Sequence, residues 1–357
     1  MSPDPSFPTD FPTSNPGRRS PVRREPGFLT LLTLLLVVGC RPSTSVRTTP
    51  SDPGSEFQAI PRNRSGQFPL SDARGIAAVF QSGAGELPRG DIPEVYRRGG
   101  YLATLYSPSG LRITDDYPAN HLHHHGIWTS WTKTRFEGRS PDFWNMGDRK
   151  GRVECVAVDR TRTGPAESGL VARNDYVDLL AQPPRVVLHE TLEIRVGSES
   201  GARWRVTDVS IRQTCATGSP LELPEYHYGG LGFRGHGDWN GGSHAQVLTS
   251  EGITNRVAAH GTRPRWIWVG GLVEGRLTGL VLFGHPGNFR APQPLRVHPE
   301  EPFVCFSPQQ MGTFTLQPGS DYVARYRLAT VDGLPDREEI ERIWKEFASS
   351  TGPKSPR

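Results

Sequence analysis

The chain has 357 residues, with 40 Gly, 33 Pro, 41 Lys+Arg against 37 Asp+Glu, and a formal net charge of +4. Gly and Pro together make about a fifth of it, against an average of about 12%, which excludes a helical bundle or coiled coil because both residues break helices. The positive charge is small and scattered, with no dense Lys/Arg patch interleaved with aromatics, so no nucleic-acid partner is expected.

At the N-terminus Arg18, Arg19, Arg23 and Arg24 precede an apolar run from Phe28 to Val38. The run is about 11 residues long, too short for a bilayer span of about 20, and with its basic flank it reads as a secretory signal. It ends Val37-Val38-Gly39-Cys40, which resembles a bacterial lipoprotein signal with Cys40 as the lipidated first mature residue. The expected organisation is a signal over 1–39, a disordered Ser/Thr/Pro/Arg-rich tether over 40–69, one domain over 70–350 and a disordered tail over 351–357. The protein is then exported and lipid-anchored to the cell envelope, on the periplasmic or outer-surface side.

Residues 1–69 hold 12 of the prolines but only 5 of the glycines, so the glycine excess belongs to the body. Strand-like runs recur along it at Ile76–Gln81, Leu102–Ser107, Val153–Val158, Val186–Val196, Trp204–Gln213, Ile267–Val273, Gly279–Phe283 and Tyr322–Val331. Several alternate apolar and polar residues, as in Thr191-Leu192-Glu193-Ile194-Arg195-Val196, the period of a strand with one buried face. Turn residues punctuate them, for example Ser198-Glu199-Ser200-Gly201 and Pro318-Gly319-Ser320. One helix is predicted, Asp336 to Phe347, with Ile340, Ile343, Trp344 and Phe347 at helical spacing. No repeat of 20–50 residues is present, which argues against a propeller. The expected fold is all-β, a large β-sandwich with one C-terminal helix. Cys155, Cys215 and Cys305 lie in or beside strand-like runs without C-x-x-C spacing and read as small buried hydrophobes.

Three stretches carry chemistry. The first is Asn120-His121-Leu122-His123-His124-His125-Gly126-Ile127-Trp128, which holds four of the eleven histidines. If extended, it puts His121, His123 and His125 on one face, suited to binding a metal or to moving protons near neutral pH. Trp128, Trp131, Phe143 and Trp144 follow and point to a pocket. The second is Glu225-Tyr226-His227-Tyr228, followed by Gly229 to Gly235, where Glu225 and His227 pair a carboxylate with an imidazole for acid–base work. The third is His285-Pro286-Gly287-Asn288-Phe289-Arg290, followed by Arg296 and His298, a loop with donors for a polyhydroxylated or anionic ligand.

The order and company of these motifs resemble a family of mostly bacterial exported proteins labelled methane-oxygenase (PmoA)-like. Its members carry an Asp-His-Pro-His-His-Arg/His-Gly stretch followed by Trp and Asp-Phe-Trp. This chain has His121 to Gly126 and then Asp142-Phe143-Trp144, with Asn120 in place of the Asp and Leu122 in place of the Pro. Gly230 to Arg234, His285 to Arg290 and Tyr101 to Pro118 look like further elements of that family, so the resemblance covers roughly 75–330. By fold-level analogy the pattern is also similar to the large mutarotase-like supersandwich of carbohydrate enzymes.

The leading expectation is a carbohydrate-active acid–base enzyme, an isomerase or epimerase ahead of a lyase or hydrolase, with a carbohydrate or glycan ligand. His123, His124, Glu225 and His227 are the expected catalytic groups, and Trp128, Trp144, Arg234, His285, Asn288 and Arg290 the expected substrate contacts, with Trp131 a further stacking surface. Hydrolysis ranks below isomerisation because Glu225 and Asp142 are the only obvious carboxylates for a process that takes two. One alternative is a metal-dependent oxygenase-like enzyme, with a divalent metal on His121, His123 and His227. The other is a non-catalytic glycan-binding surface protein.

Overall fold

The structure is a computed structural model that describes residues 60–350, apart from 61, 64–65, 84–85, 165 and 198–202. The expected signal, the lipid-bearing Cys40, most of the tether and the tail 351–357 lie outside the described residues. No helix among the described residues is long and apolar enough to cross a membrane.

In chain order the strands are β1 (Gln67–Asp72), β2 (Gly75–Gln81), β3 (Tyr101–Leu105), β4 (Ile127–Ser130), β5 (Gly151–Thr163), β6 (Glu167–Asp178), β7 (Arg185–Gly197), β8 (Trp204–Cys215), β9 (Leu221–Leu223), β10 (Gly230–Arg234), β11 (Gln246–Thr249), β12 (Trp266–Val273), β13 (Arg276–Gly284), β14 (Leu295–Val297), β15 (Phe303–Phe306), β16 (Phe314–Leu316) and β17 (Tyr322–Asp332). A four-residue helical turn, α1 (Arg256–Ala259), and a C-terminal helix, α2 (Arg337–Ser349), complete the set with four short 3-10 turns. Seven strands form one antiparallel sheet in the order β1-β2-β3-β4-β10-β15-β14, and eight form the other, β11-β12-β13-β17-β8-β7-β6-β5. The small pair β16-β9 stands beside them. The protein is thus the expected all-β sandwich with one long C-terminal helix.

The period-2 pattern explains the main core. In β7, Leu188, Leu192, Ile194 and Val196 are buried while His189, Thr191 and Arg195 face out. In the seven-stranded sheet Leu102, Leu105, Ile127, Leu231, Phe233, Val304 and Phe306 point to the same core. Each such aliphatic or aromatic side chain contributes roughly 1.5–3 kcal/mol when fully buried. Trp131 joins this core as well, packed edge-on against Phe314 and Tyr322 with its indole N–H donating to Gln213 Oε1 at 2.7 Å. It is therefore an inter-sheet residue, not the expected stacking surface.

Both sheets are also covered on their outer faces. Helix α2 lies over the eight-stranded sheet: Trp204 and Trp266 donate from Nε1 to Glu339 and Glu341 at 3.0 Å each, while Ile340, Ile343 and Phe347 are buried. Asp336 caps the helix, accepting from the amides of Glu338 and Glu339. The outer face of the seven-stranded sheet is covered by loops, and the candidate site lies there.

Two buried polar networks tie the sheets together. Glu190 on β7 accepts from Thr129 on β4, Asn174 and Tyr176 on β6, and Gln213 on β8. Arg205 on β8 grips Asp72 at the end of β1 with two bonds of 3.0 Å.

Candidate functional site

Residues of the seven-stranded sheet that alternate away from the main core build a second, smaller cluster: Tyr101, Ala103, Trp128, Phe303 and Cys305, joined by Trp144 and Tyr228. Gly232 sits opposite Trp128 on β4 and Cys305 on β15. A Cβ there would fall within about 3 Å of the Trp144 and Trp128 rings, so glycine is what lets both indoles lie over β10. Ring contacts run unbroken from Tyr226 to Tyr228 (4.9 Å), Trp144 (5.3 Å), Trp128 (4.9 Å), His124 (5.4 Å) and His121 (4.7 Å).

The histidine stretch is a turn and not the extended segment its spacing predicted. The amide of His121 donates to Pro118 O, and that of His124 to His121 O. This reverses the chain, stacks His121 on His124 at 4.7 Å and 14°, and sets His123 edge-on at 5.6 Å from His121. His125 turns the other way, with Nδ1 2.8 Å from Asp116 Oδ1. Glu301, just before β15, stands at the centre of the cluster. Its Oε1 accepts from Asn120 Nδ2 at 2.6 Å and lies 3.0 Å from His121 Nδ1. Its Oε2 accepts from Arg234 Nη1 at 2.6 Å. Arg234, fully buried on β10, also donates to Asn240 Oδ1 at 2.7 Å and lies 3.5 Å from His124 Nδ1.

Burial pushes the His123 pKa down to about 4, helped by the neighbouring imidazoles. Burial likewise holds His124 well below the usual imidazole range, helped by His123 and Arg234. Burial therefore favours the neutral form of both rings. His121, whose side chain is 34% exposed, is the ring of the stacked pair that solvent reaches more readily, and its Nδ1 faces the carboxylate.

The expected site residues divide. His121, His123, His124, Trp128, Trp144 and Arg234 come together on this face. Trp128 and Trp144 are each about 1% exposed and form its floor, so they offer no open ring to a sugar. Tyr226 and Tyr228, partly exposed, hold the accessible aromatic surface. Glu225 and His227 are exposed on the loop before β10; His227 contacts the rings of Tyr226 and Tyr228, and Glu225 contacts Thr313 through its amide. No hydrogen bond or ion pair among the described residues joins them as the expected acid–base pair. Asp142 is consumed in holding its own loop, accepting from the amides of Trp144 and Asn145 and from Thr132 Oγ1.

The His285 loop serves the fold. His285 Nδ1 accepts from Gly287 N and lies 2.9 Å from Arg325 Nη2 on β17. Asn288 brackets the Arg325 backbone with two bonds of 2.8 Å. Arg290 donates to the carbonyls of Pro308, Gly312 and Thr313. Apart from His285 Nε2, which has no hydrogen-bond partner among the described residues, these side chains hold backbone and Arg325, which removes Asn288 and Arg290 from the expected substrate contacts.

For a metal, the donor set also differs from the expected His121, His123 and His227. Atoms of His121, His124 and Glu301 lie within 4.8 Å of one another. Two imidazoles and a carboxylate suit a divalent transition metal, whereas the Arg234 guanidinium, in contact with Glu301 and beside His124, opposes a cation there.

Sequence reading missed Glu301 and Asp116, the two acids that face the histidines. The signal was present: Glu301 follows His298 closely and immediately precedes the Pro302-Phe303 strand start, and Asp115-Asp116 stand just upstream of the histidines.

Residues 83–345 match a family of unknown function, DUF6807. The chain belongs to that family. No curated protein matches it. Among solved structures it is similar to the heparan sulfate lyase HepC from Pedobacter heparinus, with 9% identity, a TM-score of 0.36, and coverage of 80% of this chain and 38% of that one. It is similar to the GH36 α-galactosidase AgaA from Geobacillus stearothermophilus, with 14% identity, a TM-score of 0.31, and coverage of 75% and 40%. It is also similar to a galactose mutarotase related enzyme from Lactobacillus acidophilus, with 7% identity, a TM-score of 0.33, and coverage of 78% and 97%. The chain therefore spans well under two thirds of the first two. These likenesses carry nothing about the chemistry of the site.

Proposed function

We propose that the protein is an acid–base enzyme acting on a carbohydrate-class substrate, with proton transfer centred on His121 and His123. The observation that carries this reading is the pairing of His121 Nδ1 with Glu301 Oε1 at 3.0 Å, on a carboxylate itself fixed by Arg234 and Asn120. A carboxylate this close to an imidazole orients the ring for proton transfer. His121 then acts as the acid and neutral His123, 5.6 Å away ring to ring, as the base. The anomeric hydroxyl gives its proton to His123 while His121 protonates the ring oxygen, so the bond from the anomeric carbon to the ring oxygen breaks as its carbonyl forms; the reverse step closes the hemiacetal on either face. Tyr226 and Tyr228 offer partly exposed ring faces against which a sugar packs. Isomerisation stays ahead of hydrolysis, because the carboxylates near the histidines, Glu301 and Asp116, are each bound to protein donors and not poised across a bond.

The test is a panel of reducing sugars and oligosaccharides followed by NMR for anomeric exchange, epimerisation and cleavage. The expected result is turnover that falls about 10²–10⁴-fold in His121→Ala and in Glu301→Gln, with the unfolding temperature of His121→Ala unchanged within a few degrees. Turnover indifferent to both substitutions, or none on any sugar, sinks the reading.

A second reading is a divalent-metal enzyme using His121, His124 and Glu301, favoured by the convergence of their donor atoms. The resemblance of the histidine motif to PmoA-like proteins attaches to this reading. Activity that disappears with chelator and returns with one metal selects it over the first. With either chemistry we place the protein in the envelope, lipid-anchored through Cys40.

A further inference from the structure

A polar cavity of about 250 Å³ lies on the same face of the seven-stranded sheet, beside the first histidine site and not part of it. Its walls include Gln81, Arg97, Arg98, Tyr101, Asp116 and Tyr117. The Tyr101 hydroxyl donates to Asp116 Oδ2 at 3.1 Å, and His125, packed on Tyr101 at 4.3 Å, stands behind with Nδ1 at Asp116 Oδ1. Arg89 closes one side by donating to Tyr117 O at 3.0 Å.

Three features mark the cavity as built for a ligand. Arg98 is 2% exposed and donates to Thr129 O, yet its Nε has no acceptor in the protein. A buried guanidinium N–H is rarely left without a partner unless water or a ligand satisfies it. Tyr117 has φ of +53°, an uncommon conformation for a bulky residue, held there by its amide donating to His124 O. Burial also pushes the Asp116 carboxyl well above the usual range, which leaves it able to donate as well as accept a hydrogen bond.

The volume, room for about eight waters at roughly 30 Å³ each, matches one monosaccharide ring. A carboxyl, two phenols, a primary amide and two guanidinium groups are the groups that bind vicinal hydroxyls. We propose that the Asp116 cavity is a binding site for a single sugar ring, recognised through its hydroxyls and distinct from the His121–Glu301 centre. It holds whether or not proton transfer at His121 is the reaction.

The test is calorimetric titration of the full chain with D-glucose, D-galactose and D-glucuronate, on the unaltered protein and on Asp116→Asn, Gln81→Ala and His121→Ala. At least one sugar is expected to bind saturably, about tenfold or more weaker in Asp116→Asn and Gln81→Ala and within about twofold of the original in His121→Ala. Gln81 is only half-buried, so its truncation reports on binding even if the Asp116 variant does not fold. Absence of saturable binding up to about 20 mM, binding indifferent to Gln81→Ala, or binding lost in His121→Ala overturns the proposal.

Discussion

Two carboxylates on one sheet face, Asp116 and Glu301, each stand about 3 Å from the Nδ1 of a histidine, His125 and His121. The two acids are about equally buried, but the His121 side chain is 34% exposed and that of His125 is not exposed at all, which is why the chemistry is assigned to His121 and a positioning role to His125. The histidines were legible in the sequence because four of them crowd five positions; of their partners Asp116 stood just upstream, whereas Glu301 is 180 residues from His121 along the chain. Arg234 was legible from its glycine-rich setting, but its task, holding Glu301, depends on the β10–β15 pairing. His285 carries a prediction of its own. Burial and then the Arg325 charge push its pKa down to about 4, whereas an unfolded imidazole titrates near pH 6.5. Between those values the unfolded chain binds the extra proton, so stability is present above about pH 6.5 and lost as pH falls toward 4. The unfolding temperature is expected to drop over that window, and to drop less in His285→Gln. Some loss persists there because His123 titrates in the same range. An identical pH profile in the variant refutes the assignment.

Elements were legible where one face alternates or where a cap is written out. Strand β7 and helix α2, with Asp336 ahead of Glu338 and Glu339, fall where the pattern put them. Strand β6 escaped notice because polar residues interrupt its inward row of Leu170, Ala172 and Tyr176: Ser168 bonds the Ser71 backbone and Asn174 bonds Glu190. Strand β4 escaped because all four residues are buried, which leaves no alternation to read. The ion pair joining β1 and β8 was equally invisible, since Asp72 and Arg205 are 133 positions apart. It is testable. Asp72 and Arg205 are both buried, and the guanidinium also donates to the carbonyls of Ile76 and Ser107. Asp72→Ala leaves a buried charge without its counterion and is expected to cost about 3–5 kcal/mol in urea unfolding. A loss below about 1 kcal/mol would show the pair to be dispensable.

The whole molecule is a sandwich covered twice over, by α2 on one outer face and by the histidine and aromatic loops on the other. The glycine excess of the sequence goes partly to turns at positive φ, as at Gly110 and Gly275, and partly to close packing, as at Gly232 under two indoles. The envelope assignment is tested at this scale by fractionation: the full chain is expected in membranes with labelled fatty acid attached, and Cys40→Ala in the soluble fraction without label. Equal partition of the two chains rejects the anchor. One feature of the seven-stranded sheet has a mechanical side. Strands β3 and β4 share a single residue pair, Leu102 with Ile127, while β4 and β10 share four. The sheet is therefore two panels with a seam between them. Tyr101 belongs to one panel, His125 leads into the other, and Asp116 clasps both side chains. Opening along that seam parts the floor between the sugar-sized cavity and the histidine turn, so a ligand seated in the cavity stiffens the joint they share.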